Sequence, residues 1–394
     1  MSQTTNTNSK LPNSIKSAET IGNNEDVASE VLVYVPVKSL INFRKVSPLW
    51  RSLIFSFHFV KRYNLLHPPS LSGLFLIPKH RFGKENNQIE CISLGENESN
   101  SPVSPILNMI SIKVLQSCNG LLLICKEGKL YIFNPTTQQK KLIPNLFGNF
   151  PPAFPLYYSL VFDPSISPHY KIICLINTRH NKYKISIYSS NSNQWKPSKA
   201  PDFFAPHDID FTTGIYCNGS VHWTKRTMRG LYFDVENETL NHMPESPRQE
   251  QYSCEYFGHS KGYLYCMFTM EGLHYYELFE MEKDYSSWVF KSKVELNVMA
   301  SQFPNMDMGI DYHHPQFMYQ CQVLSVFRGH NGEVIEVIMS IPGEVIAYDC
   351  KSKKSRQICK SKESGKEREI WYGVYQVFEY YESISPVSFQ HLTN

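Results

Sequence analysis

The chain has 394 residues, and 42 % of them are hydrophobic, enough for one large domain with a small companion or for two to three ordinary domains. Its 39 Lys and Arg residues against 36 Asp and Glu residues leave a net charge of +3. A bias this small excludes a general electrostatic attraction to nucleic acid or to membranes, so we expect neither as a partner.

The ten cysteines form no Cys-x-x-Cys pair and show no spacing typical of a zinc site or a small disulfide scaffold. Reduced, mostly buried thiols are the simplest interpretation, which favours the cytoplasm, the nucleus or both. The N-terminal "MSQTTNTNSK" is not followed by the apolar stretch of a cleavable signal, and no apolar run is long enough to span a membrane. We expect no cofactor and no metal ion.

Residues 1–22 are rich in Ser, Thr, Asn and Gln, which predicts a disordered arm. Residues 23–66 then carry signals for three short helices: a cap at Asn23 or Asn24, a stop at Pro36, and a new start where Ser47 precedes Pro48. The apolar face of the first helix consists of Val27, Val31, Leu32 and Val35. Helices this short bury little apolar surface by themselves, so we expect them to need a partner surface.

The pattern then changes to that of strands. We interpret residues 67–109 as a linker and first strands, residues 110–385 as a β-rich domain, and residues 386–394 as a tail. Turn-then-strand elements recur at "CNGLL", "CNGSVHW", "SKGYLY" and "HNGEVI" with unequal spacing. Degenerate units of about 40–50 residues are typical of propeller blades, and about 275 residues hold roughly six. A single β-sandwich would not accommodate so many short strands. The fold class is therefore mostly β with a small N-terminal α module.

The segment "EVLVYVPVKSLINFRKVSPLWRSLI" resembles the F-box of plant F-box proteins. The β-rich half resembles the F-box-associated, kelch-like domain that follows it in that family, through pieces such as "SCNGLLL", "FNPTT", "FDPSISPHYKI", "NGSVHW" and "IPGEVIAYD" in the expected order. The resemblance runs from about residue 26 to 385. It implies a short F-box helical bundle followed by a β-propeller-like domain.

The resemblance implies that the helices bury their apolar face against a Skp-type linker protein, which connects the chain to a cullin. The residues expected to bind the linker are Val27, Val31, Leu32, Val35, Pro36, Val37, Leu40, Trp50 and Leu53. The alternative is that these residues only close a helical cap on the β-domain. One departure from the family is that Asn23 and Asn24 replace the usual Leu-Pro before the acidic start, which puts docking in doubt.

A ligase adaptor of this kind needs no catalytic group, because it holds a substrate near a charged conjugating enzyme. The sequence does contain Gly-x-Ser-x-Gly at "GHSKG", but a strand pattern follows, so Ser260 is expected in a hairpin turn and not in a nucleophile elbow. The pair His313 and His314 lacks a third metal ligand at a convincing spacing. Asp163, Asp234 and Asp349 each follow an aromatic residue near a strand end and are expected to brace turns.

A substrate is expected at loops on one mouth of the propeller. The candidates are the aromatic and proline-rich stretches 146–158, 200–211 and 302–319. Their expected anchors are Phe150, Phe154, Phe203, Phe204, Met306, Tyr312 and Phe317, the alternative being that they fold back onto the blades. The resemblance thus implies a substrate receptor of a cullin–RING ubiquitin ligase. A non-degradative scaffold or inhibitor that binds partners without ubiquitin transfer is the alternative.

Overall fold

Four helices occupy residues 24–66 of the computed structural model, one more than the sequence pattern predicts. The structure describes residues 24–78, 89–95, 112–148, 154–179, 181–206, 209–224, 230–249, 251–270, 272–306, 319–329, 335–360 and 375–388. The predicted arm 1–22 lies outside these ranges. The helices are α1 (Glu25–Leu32), α2 (Val37–Phe43), α3 (Pro48–Ile54) and α4 (Phe57–Leu66).

Side-chain caps fix where these helices begin. The Asn24 carboxamide oxygen accepts the amide hydrogens of Asp26 and Val27 at 3.0 and 3.2 Å, and Ser47 accepts from the amide of Trp50, which confirms both predicted starts. Ser56 does the same for α4 by accepting from Phe59. The helices pack around a shared apolar core, which consists of Ala28, Leu32, Val33, Leu40, Ile54, Phe59, Val60, Tyr63 and Ile384.

The remaining chain consists of antiparallel strands joined by short turns. The strands are β1 (Leu71–Pro78), β2 (Glu90–Ser93), β3 (Ile112–Cys118), β4 (Leu121–Lys126), β5 (Lys129–Asn134), β6 (Gln139–Leu142), β7 (Leu156–Val161), β8 (Lys171–Arg179), β9 (Lys182–Ser189), β10 (Gln194–Pro197), β11 (Phe203–Phe204), β12 (Ile215–Cys217), β13 (Ser220–Trp223), β14 (Leu231–Asp234), β15 (Thr239–His242), β16 (Ser253–Ser260), β17 (Tyr263–Thr269), β18 (Tyr275–Met281), β19 (Trp288–Glu295), β20 (Gln322–Arg328), β21 (Ile335–Ile341), β22 (Glu344–Asp349), β23 (Lys354–Lys360) and β24 (Tyr375–Tyr381). A further helix, α5 (Leu296–Gln302), follows β19.

These strands form six sheets, which confirms the predicted six-bladed propeller. Blades one to five are β3–β6, β7–β10 with β11 beside β9, β12–β15, β16–β19 and β20–β23. The first strand of each of blades one to four lies next to the first strand of the following blade, which places these strands around a central axis. The described residues include seven apolar clusters, several of them between the faces of neighbouring blades.

Blade six closes the ring by joining the two ends of the chain. Its order is β2-β1-β24, so the last strand is innermost and pairs with β1 from Leu71–Tyr381 to Pro78–Tyr375. Propeller strands therefore begin at Leu71, within the stretch 67–109 that was interpreted as a linker and first strands. Val387, in the stretch interpreted as a tail, is buried against blades one and two.

Strand direction decides which loops share a face of the propeller. The hairpins after the first and third strands of each blade lie at one end, called here the hinge end, and the connections between blades lie at the other, called the far end. The helical module is at the hinge end, since α4 leads directly into β1 and the Arg44 guanidinium donates to the carbonyl of Thr137 in the β5–β6 turn. No helix among the described residues is long and apolar enough to cross a membrane.

Candidate protein-docking surfaces

An exposed apolar stripe runs along α1. Val27 and Val31 are four residues apart in α1, and Tyr34 follows in the turn just beyond its end, three residues after Val31, so the three side chains lie on the same side. Val31 is 57 % exposed and Tyr34 is 68 % exposed. Beside this stripe, Glu30 accepts two hydrogen bonds from the Arg62 guanidinium of α4 at 2.5 and 2.7 Å, and these bonds lower the pKa of Glu30. The helix therefore offers apolar contact area next to a fixed ion pair.

Leu32 and Leu40 were predicted to contact a linker protein directly, and the structure contradicts this. Both side chains are buried in the core that the four helices share with Ile384. The reason is that Leu32 lies about 100° around the axis of α1 from Val31, on the side that packs against the other helices. These two residues hold the module together and present no surface to a partner.

Five further residues that were predicted to contact a linker protein are partly buried or exposed. Val35, Val37, Trp50 and Leu53 are partly buried and pack against the helical core, while Pro36 is exposed at the start of α2. The Trp50 ring meets Phe43 edge to face at 5.6 Å between ring centres, which fixes its orientation. Tyr34 and Val46, both more than half exposed, were not selected from the sequence, although the spacing of Tyr34 from Val31 was a signal for it.

The predicted substrate residues differ in how far the structure exposes them. Phe204 is 72 % exposed, and Phe154 is partly exposed. Phe203 is partly buried because its ring stacks on Tyr183 at 5.5 Å. Met306 is fully buried in the core between blades four and five, so in this conformation it is not available to a substrate. Phe150, Tyr312 and Phe317 lie outside the described residues.

All three predicted substrate loops connect one blade to the next. Residues 146–158 lead from β6 to β7, residues 200–211 lead towards β12, and residues 302–319 lead to β20. The described residues of these stretches therefore belong to the far end of the propeller, whereas the helical module lies at the hinge end. Sequence spacing alone does not reveal this separation, because it depends on how the strands alternate in direction within each blade.

The Gly-x-Ser-x-Gly sequence forms a hairpin and not a nucleophile elbow. Ser260 ends β16, and Lys261 and Gly262, with φ of 48° and 76°, make the two-residue turn into β17. The Ser260 hydroxyl oxygen accepts the amide hydrogen of Arg328 at 3.0 Å. An elbow requires a strand-to-helix turn that exposes the serine, so this geometry does not resemble a hydrolase site.

The predicted turn-bracing aspartates are confirmed. Asp163 accepts from the amide of Ser165, and Asp234 accepts from the amides of Glu236 and Asn237. The amides of Ser352 and Lys351 donate to the carboxylate of Asp349. These hydrogen bonds lower the pKa of Asp349, and the bond from Ser352 contributes most. Among the described residues, no group of three or more His, Cys, Asp and Glu side chains is arranged to hold a metal ion; His313 and His314 fall outside them.

The four-helix module and the six-bladed propeller define a protein with an F-box and an associated propeller. Residues 74–387 match the model of the F-box associated beta propeller domain, and residues 24–62 match that of the F-box domain. The chain therefore belongs to the F-box proteins that carry an F-box associated β-propeller.

The chain is similar to F-box proteins of Arabidopsis thaliana. The F-box protein At5g07610 is 27 % identical, with 98 % of this chain and 100 % of the relative covered. F-box only protein 8 is 26 % identical over 58 % of this chain and 83 % of its own length. Among solved structures, an oligogalacturonate lyase in complex with manganese matches 64 % of this chain and 65 % of its own at 9 % identity and a TM-score of 0.41.

Proposed function

We propose that this chain is the substrate-recognition subunit of a Skp–cullin–F-box ubiquitin ligase. The helical module binds a Skp-type linker protein, and the linker connects the chain to a cullin. The propeller binds a target protein and holds it near the conjugating enzyme, so that attack by the target's lysine becomes effectively intramolecular. The chain itself is a non-catalytic adaptor and acts in the cytoplasm, the nucleus or both.

The observation that supports linker docking best is the exposed stripe Val27, Val31 and Tyr34. Apolar side chains on consecutive turns of a short helix gain stability only when a second surface covers them, by about 1.5–3 kcal/mol for a fully buried Val-sized or larger side chain. In the proposed complex these three residues form the contact centre. Leu32 and Leu40 contribute indirectly, because they fix the orientation of α1 and α2 from inside the core.

Target binding is proposed for the far end of the propeller. A target held there does not compete with a linker at the hinge end, since the two surfaces lie on opposite sides of the ring. Phe204 is the best anchor among the described residues because its ring is exposed at an inter-blade connection. Its neighbour Phe203 provides a matched control, since the ring of Phe203 packs on Tyr183 and is not free to enter a partner's pocket.

Linker docking is tested with Val31→Glu in the full chain. Val31 is exposed, so the change adds a charge to the stripe without disturbing the core. The control is Ile166→Glu, which alters a 72 % exposed residue of the Asp163 turn in blade two. We expect co-purification with a Skp-type linker to fall at least tenfold for Val31→Glu only. Equal recovery of the two variants would contradict the proposed surface.

The second candidate is a scaffold or inhibitor that binds its target without ubiquitin transfer. The replacement of the family's Leu-Pro by Asn23 and Asn24 favours it, since Asn24 is used as a helix cap. The two functions differ in the fate of the bound target. If the chain is a ligase receptor, inhibiting the cullin lengthens the target's lifetime; an unchanged lifetime together with retained binding would favour the scaffold.

A further inference from the structure

The segment that follows the last propeller strand enters the core of the helical module. This segment, Glu382–Val387, is called here the C-terminal strap. Ile384 is completely buried among residues of the helices, including Leu32, Phe59 and Tyr63. The Asn64 carboxamide in α4 donates to the hydroxyl of Ser385 at 3.3 Å. The helical core is therefore completed by a residue more than 300 positions away in the chain.

The residues on either side of Ile384 bind the propeller. The buried Asn134 carboxamide donates to the carbonyl oxygens of Ser383 and Ser385 at 3.0 and 2.8 Å. Val387, three residues after Ile384, packs into the core between blades one and two, and its carbonyl accepts from the Tyr170 hydroxyl at 3.2 Å. The strap thus alternates between contacts with the blades and a contact with the helices, and it is held on both sides of Ile384.

Asn134 shows that blade one is adapted to this strap. It occupies the end of the third strand of its blade, the position that Asp234 and Asp349 occupy in blades three and five. All three side chains accept amide hydrogens from the turn that follows, in the case of Asn134 from Thr136 and Thr137 at 2.8 and 3.1 Å. A carboxylate has no hydrogen to donate, whereas the carboxamide of Asn134 braces the turn and also donates to the strap.

The backbone of the β3–β4 turn in blade one also lies close to the C-terminal strap. Gly120 has a φ of 92°, and a Cβ at this position would lie 2.9 Å from the carbonyl oxygen of Tyr381 and would overlap the Ser383 side chain. The amide of Ser383 donates to the Thr136 hydroxyl at 3.2 Å. A glycine with this conformation lets the chain pass at contact distance where any side chain would block it.

We propose that the C-terminal strap makes the stability of the F-box helices depend on closure of the propeller. The strap can occupy its position only when β24 is paired with β1 as the innermost strand of blade six, because it follows that strand directly. When β24 is not paired with β1, Ile384 is no longer held in the helical core. If the function proposed above is correct, a Skp-type linker then recruits only chains whose propeller is closed; this last step rests on that function, whereas the coupling itself does not.

The coupling is tested by hydrogen exchange on the full chain, read at the backbone amides of α1–α4. Ile384→Ala is expected to speed exchange in these helices at least tenfold while strands of blades two to four keep their protection. Ile185→Ala is the matched control, since Ile185 is buried in the core between blades two and three, away from the helices. Equal exchange of the helices in the two variants would overturn the proposal.

A second pair of variants tests whether the strap transmits closure of the propeller to the helices or whether Ile384 only fills the helical core. Asn134→Asp keeps the acceptor that braces the turn but places a carboxylate against the strap carbonyls, and Asn134 lies in the propeller. We expect this change also to speed exchange in the helices, whereas Asp234→Asn, the reciprocal change in blade three, leaves it unchanged. If Ile384→Ala loosens the helices and Asn134→Asp does not, Ile384 is a local core residue and the strap does not transmit closure.

The linker-binding test and the hydrogen-exchange test have independent outcomes. Loss of linker binding in Val31→Glu with normal helix protection supports the docking surface and leaves the coupling to be judged from Ile384→Ala and Asn134→Asp. Faster helix exchange in Asn134→Asp supports the coupling even when no linker is bound by the native chain.

Discussion

His222 should make the stability of the propeller fall between pH 6.5 and pH 4. Its ring is fully buried between blades three and four, and it stacks on the rings of Tyr232 and Tyr285 at 5.7 and 5.5 Å. The Nδ1–H donates to the carbonyl of Ile215 at 3.1 Å, and Nε2 accepts from the Tyr285 hydroxyl at 2.7 Å. Both ring nitrogens of the neutral imidazole are satisfied in this arrangement, and protonation would place a charge where burial disfavours it.

The magnitude follows from the pKa in the two states. Burial, helped by the nearby charge of His259, lowers the pKa of His222 from 6.5 to about 4. In this window the unfolded chain binds more protons than the folded one, so stability is complete above pH 6.5 and decreases as the pH falls. The difference amounts to about 2 kcal/mol between pH 7 and pH 5 and about 3 kcal/mol below pH 4.

The measurement is urea unfolding of the full chain at pH 7 and pH 5, compared with His222→Gln. Glutamine does not titrate, so the variant is less stable at pH 7 but loses less stability on acidification. Titratable groups that do not interact with His222 contribute equally to both proteins and cancel in the comparison, whereas the repulsion between His222 and His259 is part of the effect measured. If the native chain and the variant lose the same free energy of unfolding between the two pH values, His222 is not the group responsible.

Three further predictions concern the helical core, the strap and the far end. Leu40→Ala should destabilise the helical module by about 2–5 kcal/mol, whereas Leu65→Ala, at a 59 % exposed position of α4, should change stability by less than about 0.5 kcal/mol; thermal unfolding distinguishes them. Gly120→Ala should cost clearly more than the roughly 1 kcal/mol expected for Gly128→Ala, because both have positive φ but only Gly120 meets the strap, and similar costs in denaturant titrations would contradict that contact. Phe204→Ala should leave the melting temperature unchanged and weaken capture of the target at least tenfold, measured by pull-down from plant cells with the proteasome blocked; unchanged capture would exclude Phe204 as an anchor.

Local signals predicted the elements that depend on neighbouring residues. The start of α1 at Asn24, the start of α3 at Ser47, and the hairpin turns at Asn119, Asn218 and Lys261 all rest on contacts within a few positions of the chain. Helix α4 was missed, although Ser56 carried the same capping signal as Ser47.

Contacts between distant segments were not visible in the sequence. Val31 and Leu32 are adjacent and both apolar, yet one is exposed and the other is in the core, since only the packing of α1 on its neighbours selects the inward side. Met306 was selected with Phe204 for the same composition of its loop, but blades four and five enclose it. Neighbouring residues do not specify which side chain of an apolar loop the blades will cover.

The amino-acid sequence by itself determined the order of a short helical module and a β-propeller, because caps, turns and alternating strands are specified within about ten residues. Only the tertiary structure decided how the two parts join. The pairing of β24 with β1, the place of Ile384 among the helices and the second hydrogen-bonding role of Asn134 each link positions about 250 or more residues apart. Such contacts form only when the ring closes, since closure is what brings the two ends of the chain together.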